Sequence, residues 1–151
     1  MRVQRSGTIK QPVERVFEYV STPENDPTWV PVSLSHEKIS PGPLRVGSIT
    51  EEDVEFLGRR MRYVWEVWHY EPPSAVALRT VSGPLPATIH LLLEPLDSGT
   101  ELTLVFDAEL RGVYKLIGPL MKWVVQRQFK TQLLTLKNLL ESGTSENTQA
   151  C

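Results

Sequence analysis

Glu52 and Tyr63 are the side chains of this sequence best placed for acid–base chemistry inside a fold. Residues 48–57 alternate as a strand, and Glu52 shares the more apolar face with Val54 and Phe56. Burying a charged carboxyl on such a face costs free energy unless it is paired. A carboxyl kept there could act as a general acid or base. No partner for such an acid–base pair is evident, so the sequence leaves open whether the protein is an enzyme.

Arg5 is the second charged residue expected on an inner face, because it alternates in phase with Val3 and Ile9. Three interpretations of Arg5 and Glu52 stay open. They orient the polar end of a ligand, together with Tyr63, in an otherwise apolar pocket. Alternatively, they pair with each other to hold the sheet, or they lie at strand ends near water.

The acidic run 51–55 is the one segment whose composition suggests a cation site. Alternation directs neighbouring carboxylates to opposite faces, so they do not converge. Arg59, Arg60 and Arg62 follow directly across a hairpin turn predicted at Gly58. We therefore expect a solvated edge of paired charges and no metal.

The three histidines show no spacing typical of metal ligands, and we expect all of them at the surface. They are His36, His69 and His90. The sequence has no Gly-x-Ser-x-Gly motif, no phosphate-binding glycine loop and no Cys–His pair, so we expect no cofactor.

Length and charge set further limits. The chain has 151 residues, which is enough for one domain, and its net charge of −2 excludes bulk charge as a basis for nucleic-acid binding. Its one cysteine is Cys151, so no intrachain disulfide forms. No apolar run approaches the ~20 residues of a membrane span, and the N-terminus lacks the apolar core of a signal peptide. We expect a cytoplasmic protein.

The elements that position these residues are predicted from periodicity and from turn residues. Strands are expected at 2–9, 34–40, 48–57, 60–71, 75–82, 87–94 and 100–110, and helices at 12–21, around 24–29 and at 114–141. Residues 142–151 are expected to be a disordered tail. Consecutive strands joined by short turns form an antiparallel meander, which must curl around the last helix to be covered by it. Such an arrangement leaves a space inside unless large side chains fill it.

The last helix carries two apolar stripes. One stripe, expected to face the sheet, contains Val125, Phe129, Leu133, Leu136 and Leu140. The second contains Leu116, Leu120, Trp123 and Leu134. The second stripe is open to three interpretations: a dimer contact, a membrane-facing patch, or cover for the early helices. The helix is also basic, which is typical of membrane-surface contact, although a solvated face is the favoured interpretation.

Several short motifs carry a resemblance that spans residues 3–141. They are Pro12-Val13-Glu14-Arg15-Val16-Phe17, Pro23 followed by Trp29, Leu44-Arg45-Val46-Gly47-Ser48, Val67 through Glu71-Pro72-Pro73, Gly99-Thr100-Glu101-Leu102-Thr103, and the leucine pattern of 133–141. In their order and spacing they resemble the START-like, polyketide cyclase/dehydrase superfamily (SRPBCC). The resemblance implies the α+β helix-grip fold of the birch pollen allergen, in one domain over residues 1–141. A curved antiparallel sheet of six to seven strands would wrap the C-terminal helix, with two short helices after the first strand.

The leading hypothesis is that the protein binds a small, largely hydrophobic molecule, a lipid or an aromatic, polyketide-like compound, between the sheet and the helix. The residues expected to line the site are Arg5, Trp29, Thr50, Glu52, Tyr63, Trp65, Leu91, Phe106, Met121, Val125 and Phe129. Two alternatives remain. One is an enzyme resembling a polyketide aromatase/cyclase, with Glu52 or Tyr63 as the catalytic candidate. The other is an interaction module, as a monomer or homodimer, that uses the C-terminal helix on a protein or a membrane.

Overall fold

A computed structural model of the protein describes residues 1–142 with their side chains and follows the backbone of the last helix beyond them. In chain order the elements are β1 Arg2–Ile9, α1 Val13–Ser21, a 3-10 turn at Pro23–Asn25, α2 Asp26–Trp29, β2 Ser33–Lys38, β3 Ile49–Phe56, β4 Arg59–Glu71, β5 Ala75–Ser82, β6 Ala87–Leu96, β7 Gly99–Ala108, α3 Val113–Leu116 and α4 Gly118–Ala150. The prediction of a disordered tail, residues 142–151, lies almost wholly outside the residues described with side chains.

The strands form one antiparallel sheet in the order β1-β7-β6-β5-β4-β3-β2. Strands β2 to β7 are a meander in which each strand pairs with the next along the chain. Strand β1 returns to pair with β7, so it lies at one edge of the sheet. The predicted α+β fold, a curled antiparallel sheet with a long C-terminal helix, is confirmed.

The predicted inner faces of β3 and β7 are largely buried. Alternate residues of β3 and β7, such as Thr50 and Leu102, are fully buried. The stripe of α4 that was expected to face the sheet is also buried, from Val125 to Leu140. The helix crosses β1 at Gly7, where an added Cβ atom would lie 3.4 Å from the side chain of Leu133. This close approach fills one end of the interior, which we call the packed end.

The single helix predicted over 114–141 is wrong at its start. Two helices are present, and between them Ile117 has a non-helical backbone with φ −100° and ψ 9°. The physical reason is Pro119, which has no N–H to bond the carbonyl of Lys115 four residues earlier, and whose ring would clash with that carbonyl in a continuous helix. The short helix α3 can therefore turn away from the axis of α4.

The second apolar stripe is exposed along its whole length, with Leu116 at 82% and Trp123 at 55% exposure. It therefore does not cover the early helices. The guanidinium of Arg127 lies 5.3 Å from the centre of the Trp123 ring, within cation–π range. No helix among the described residues is long and apolar enough to cross a bilayer.

Candidate functional site

A cavity of about 190 Å³ lies between the curled sheet and the helices. Its lining is mostly aliphatic and aromatic. All of the expected lining residues except Arg5 lie on its wall, namely Trp29, Thr50, Glu52, Tyr63, Trp65, Leu91, Phe106, Met121, Val125 and Phe129. The helices α2, α3 and α4 and the strands β2 to β7 all contribute to this wall. We call this region the cavity end.

Arg5 does not line the cavity. Its side chain is exposed, although its neighbours in phase, Val3 and Ile9, are buried. The reason is that β1 is an edge strand, from which a long side chain reaches solvent past the rim of the sheet. The expectation that Arg5 faces the interior, to contact a ligand or to pair with Glu52, is therefore wrong.

Three titratable side chains meet on one wall of the cavity: Asp26, His36 and Glu52. Their side chains are 16%, 2% and 8% exposed. His36 Nδ1 lies 2.7 Å from Asp26 Oδ2, and His36 Nε2 lies 2.7 Å from the hydroxyl oxygen of Thr50. Glu52 Oε2 lies 3.6 Å from His36 Nδ1, which is an ion-pair distance but not a hydrogen bond. We call these three residues the polar cluster.

The backbone brings the polar cluster together from three segments. Strands β2 and β3 pair with His36 directly opposite Glu52, so both side chains point to the same face. A register shift between Ser33 and Ser35 sets the phase of β2 that turns His36 inward. Asp26 is the first residue of α2, which packs against β2 and places its carboxyl beside the imidazole.

Burial and mutual charge shift the pKa values of the polar cluster. Burial raises the pKa of Asp26 and of Glu52, and the neighbouring His36 only partly offsets this. Burial alone would lower the pKa of His36, but the hydrogen bond to Asp26 and the charges of Glu52 and Asp26 outweigh it and raise that pKa. The folded protein therefore holds protons on this cluster more tightly than isolated side chains would.

Further donors surround the two carboxyls. The indole N–H of Trp65 donates a hydrogen bond of 3.1 Å to Glu52 Oε1. The hydroxyl of Ser33 lies near Glu52, and the indole of Trp29 lies near Asp26. Within residues 1–142, however, neither Ser33 Oγ nor Trp29 Nε1 reaches a hydrogen-bond partner. Buried donors of this kind are normally satisfied by protein, water or ligand.

Tyr63 extends the aromatic part of the wall. Its ring stacks on that of Trp65, with centroids 5.1 Å apart and an angle of 20° between the planes. Burial, with smaller effects of Tyr114 and Glu52, raises the pKa of Tyr63 to about 12. The phenol therefore stays protonated at neutral pH and can donate a hydrogen bond.

The polar cluster is also the place, within the described residues, where a metal ion would find three donors. One ligand atom from each residue lies within 4.8 Å of the other two. However, two ligands bound to one Zn²⁺ at ~2.0–2.1 Å in tetrahedral geometry lie roughly 3.3 Å apart. The 2.7 Å between His36 Nδ1 and Asp26 Oδ2 is instead the length of a charge-assisted hydrogen bond. A proton fits this space better than a metal ion does.

The outward carboxylates of the acidic run on β3 pair with arginines, as predicted, but β3 lies inside the sheet and not at its edge. Arg62 of β4 lies 3.0 Å from Glu51 and 2.8 Å from Asp53, and Arg60 lies 3.9 Å from Glu55. These side chains point away from the cavity, whereas Glu52 points into it.

Sequence reasoning missed two members of the polar cluster. The expectation that His36 lies at the surface is wrong, since it is 5% exposed, and Asp26 was not singled out. In residues 33–38, the register shift turns the apolar Leu34 outward and the polar His36 inward. No spacing rule connects Asp26, His36 and Glu52, because only the β2–β3 pairing and the chain reversal at α2 bring them together.

Comparisons with known proteins agree with this architecture. Residues 1–141 match the family model described as "Polyketide cyclase / dehydrase and lipid transport". A protein from Thermus thermophilus is similar in structure, with a TM-score of 0.81 and 16% identity over 95% of this chain and 99% of that one. A START superfamily protein from Mycobacterium smegmatis has a TM-score of 0.80 and 18% identity over 93% of this chain and 97% of its own.

The Zhui aromatase/cyclase from Streptomyces has a TM-score of 0.75 and 16% identity over 93% of both chains. No curated protein sequence matches this chain. At these identities the structures show a shared fold, while the family model covers nearly the whole chain. The chain shares its fold with the START superfamily protein, and it belongs to the polyketide cyclase/dehydrase and lipid transport family.

Proposed function

We propose that the protein binds a small, largely apolar molecule in the cavity between the sheet and α4, with the polar end of that molecule against the polar cluster. The observation that carries this proposal is the cavity itself, an apolar space of about 190 Å³ next to buried donors without partners among the described residues. The family description, which names polyketide cyclases and lipid transport, supports a ligand of this kind.

The energetics favour an apolar guest. An engineered apolar cavity of ~150 Å³ stays dry and binds benzene, so a cavity of this size accepts a molecule of at least one ring. Each Å² of apolar ligand surface removed from water contributes ~25 cal/mol before the costs of association. The stacked rings of Tyr63 and Trp65 offer a flat wall for such a ring.

The test uses a simple probe and two matched variants on β6. Leu91 lines the cavity, whereas its neighbour Leu92 points to the opposite face and is 43% exposed. We expect 4-butylbenzyl alcohol to bind the wild-type protein in ligand-observed NMR. Leu91→Trp fills the cavity and should weaken binding at least about tenfold, because an overfilled site cannot repack freely. Leu92→Trp adds the same side chain outside and should leave binding unchanged.

The two variants also define the contradictory results. Equal loss of binding in both would indicate a general effect on folding rather than occupation of the cavity. Undiminished binding to Leu91→Trp would show that the probe sits elsewhere. Failure of the wild-type protein to bind the alcohol or any related apolar probe would end the proposal.

One observation favours a second candidate function, an enzyme of the aromatase/cyclase type. Glu52 is a buried carboxyl with a raised pKa, next to a His36–Asp26 pair and facing an apolar cavity. A carboxylate in that environment is a stronger base than one in water and can remove a proton next to a carbonyl group. Tyr63 is the acid that could donate a hydrogen bond to the resulting enolate.

This candidate is tested by exchange of protons at C3 of 4-phenyl-2-butanone in D2O, followed by NMR. If Glu52 is the base, Glu52→Gln lowers the enzyme-dependent rate by about 100-fold or more. Tyr63→Phe lowers this rate less, because the phenol only stabilises the enolate by a hydrogen bond and does not itself remove the proton. A wild-type protein that does not exceed the buffer rate, or a Glu52→Gln variant equal to wild type, would exclude this role.

A further inference from the structure

The charged groups on the cavity wall are unbalanced. Among the described residues that line the cavity, no lysine and no arginine is present. The carboxyl and imidazole side chains on the cavity wall are those of Asp26, Glu52 and His36. Two carboxyls therefore face one imidazole, and a fully ionised polar cluster has a net charge of −1.

Burial raises the pKa of both carboxyls, so a positively charged ligand beside them would stabilise their ionised forms. The indole N–H of Trp65 donates a hydrogen bond to Glu52 Oε1. His36 Nδ1 is already hydrogen-bonded to Asp26. Glu52 Oε2 is left at 3.6 Å from His36, outside hydrogen-bond distance, on a residue that lines the cavity. Glu52 therefore offers an acceptor on the cavity wall.

We propose that the cavity selects apolar molecules that carry a basic amine, whose ammonium group pairs with Glu52 while the apolar body lies along the aromatic wall. This inference rests on the proposed function, because it names the class of ligand for the same cavity. An ammonium group supplies the positive charge that the polar cluster lacks and a donor for Glu52 Oε2. The face of Trp65, stacked with Tyr63, offers a further cation–π contact.

Anionic ligands fit this wall poorly. A fatty-acid carboxylate would meet Asp26 and Glu52 with no lysine or arginine of the described lining to offset the repulsion. A neutral alcohol would find acceptors but would leave the net charge uncompensated. The carboxyls of the polar cluster are already removed from water by folding, so an ammonium ligand brings only its own desolvation cost. The expected order of affinity is amine, then alcohol, then carboxylate.

The test is a calorimetric titration of three probes that share one apolar body: 4-butylbenzylamine, 4-butylbenzyl alcohol and 4-butylbenzoate. It is done at neutral pH with a chelator present. The wild-type protein should bind the amine at least about tenfold more tightly than the alcohol, as expected for a charge pair out of water. Binding of the carboxylate should be weaker than that of the alcohol.

Two variants on β3 separate the role of Glu52 from a change in overall charge. Glu52→Gln keeps the shape and the acceptor for Trp65 but removes the charge inside the cavity. Asp53→Asn removes one charge on the adjacent residue, which faces outward and pairs with Arg62. Glu52→Gln should abolish the preference for the amine over the alcohol, whereas Asp53→Asn should preserve it.

The outcomes separate this inference from the proposed function. Equal binding of amine and alcohol by the wild-type protein would overturn the inference and leave the cavity as a binding site. No binding of any probe would overturn both. A preference for the amine over the alcohol that persists in Glu52→Gln would overturn the role of Glu52. If Glu52→Gln does not fold, Asp26→Asn removes the other carboxyl charge of the polar cluster and should also weaken this preference. In a separate titration without chelator, tight Zn²⁺ binding that Glu52→Gln abolishes would assign the carboxyls to a metal instead.

Discussion

The packed end and the cavity end of the interior differ in the kind of polar group that is buried there. At the packed end, Gln11 donates a 2.9 Å hydrogen bond to the carbonyl of Leu140, and Thr100 donates a 2.8 Å hydrogen bond to the carbonyl of Gln11. These groups are neutral and tie α4 to the sheet. At the cavity end the buried groups are titratable, and Trp29 and Ser33 have donors without partners among the described residues.

This difference distinguishes the polar residues that stabilise the fold from those that do not. A neutral side chain bonded to the backbone fixes one chain segment against another and is satisfied when the protein is folded. The polar cluster instead bonds to side chains, both within itself and at Thr50 and Trp65, and its buried charge raises the cost of folding. Such a cluster beside an apolar cavity is better explained by ligand recognition than by stability, and the following predictions sharpen that contrast.

The largest effect is expected from truncating a core side chain at each end. Leu136 is fully buried at the packed end, so Leu136→Ala should lower the free energy of unfolding by about 3–5 kcal/mol through lost packing and a new void. Leu91 borders existing space and is only partly buried, so Leu91→Ala should cost about 1–2 kcal/mol. Urea denaturation measures both. Equal losses would contradict the distinction between a filled and an open end.

Two glycines test the same contrast through added volume. A Cβ on Gly99 would clash with the backbone carbonyl of Ile9, whereas a Cβ on Gly83 would clash with the ring of Tyr63 on the cavity wall. The backbone cannot move aside, so the clash in Gly99→Ala should lower the free energy of unfolding by about 2–3 kcal/mol. The strain of an alanine at this positive φ adds to that loss. The Tyr63 ring can shift into the cavity, so Gly83→Ala should cost about 1–2 kcal/mol and weaken binding of 4-butylbenzyl alcohol.

Thermal or urea unfolding and one binding titration check both glycine variants. A Gly83→Ala protein that binds the alcohol as tightly as wild type would contradict the placement of Tyr63 on the wall of the binding site.

A smaller effect is expected in the pH dependence of stability. The pKa of His36 is raised above its ordinary 6.5, so its stabilising contribution is present below pH 6.5 and is lost as the pH rises through the folded-state value. Asp26 and Glu52 also bind protons more tightly in the folded state, and they act in the same direction. The free energy of unfolding should therefore fall as the pH rises above 6.5.

Glu52→Gln identifies the source of this slope. It removes one of the charges that raise the pKa of His36, so it should flatten the decline above pH 6.5. Asp53→Asn should keep the slope, because the hydrogen bond from Arg62 lowers the pKa of Asp53 below its ordinary value, far from this pH range. His90 does not interfere, since burial lowers its pKa and it titrates below this range. A slope that is unchanged in Glu52→Gln would contradict the coupling between these groups.

The smallest effect on stability is expected outside both ends, at the exposed stripe of the C-terminal helices. Trp123 is 55% exposed, so Trp123→Glu should change the free energy of unfolding by no more than about 0.5 kcal/mol. Light scattering and vesicle binding of wild type and variant test the hypothesis of an interaction module. A change in mass or in vesicle binding would support it, and no change in either would exclude a role for Trp123.

The fold was predictable because it depends on features that are local in sequence. Alternation placed Thr50, Glu52 and Trp65 on the inner face, and glycine and proline marked the turns between strands. Two kinds of residue escaped this reasoning. Arg5 follows the alternation, but its position on an edge strand decides its exposure. His36 becomes buried through an irregular register, and its partner Asp26 reaches it only through tertiary structure.

The most direct test of the account is the location of bound 4-butylbenzyl alcohol by intermolecular NOEs to methyl groups of the protein. Binding in the cavity should give NOEs to Leu91, Met121 and Val125, which line it, and none to Leu136 at the packed end. NOEs confined to Leu116 and Leu120 of the exposed stripe, or NOEs absent while the probe is in excess, would contradict a binding site between the sheet and the helix.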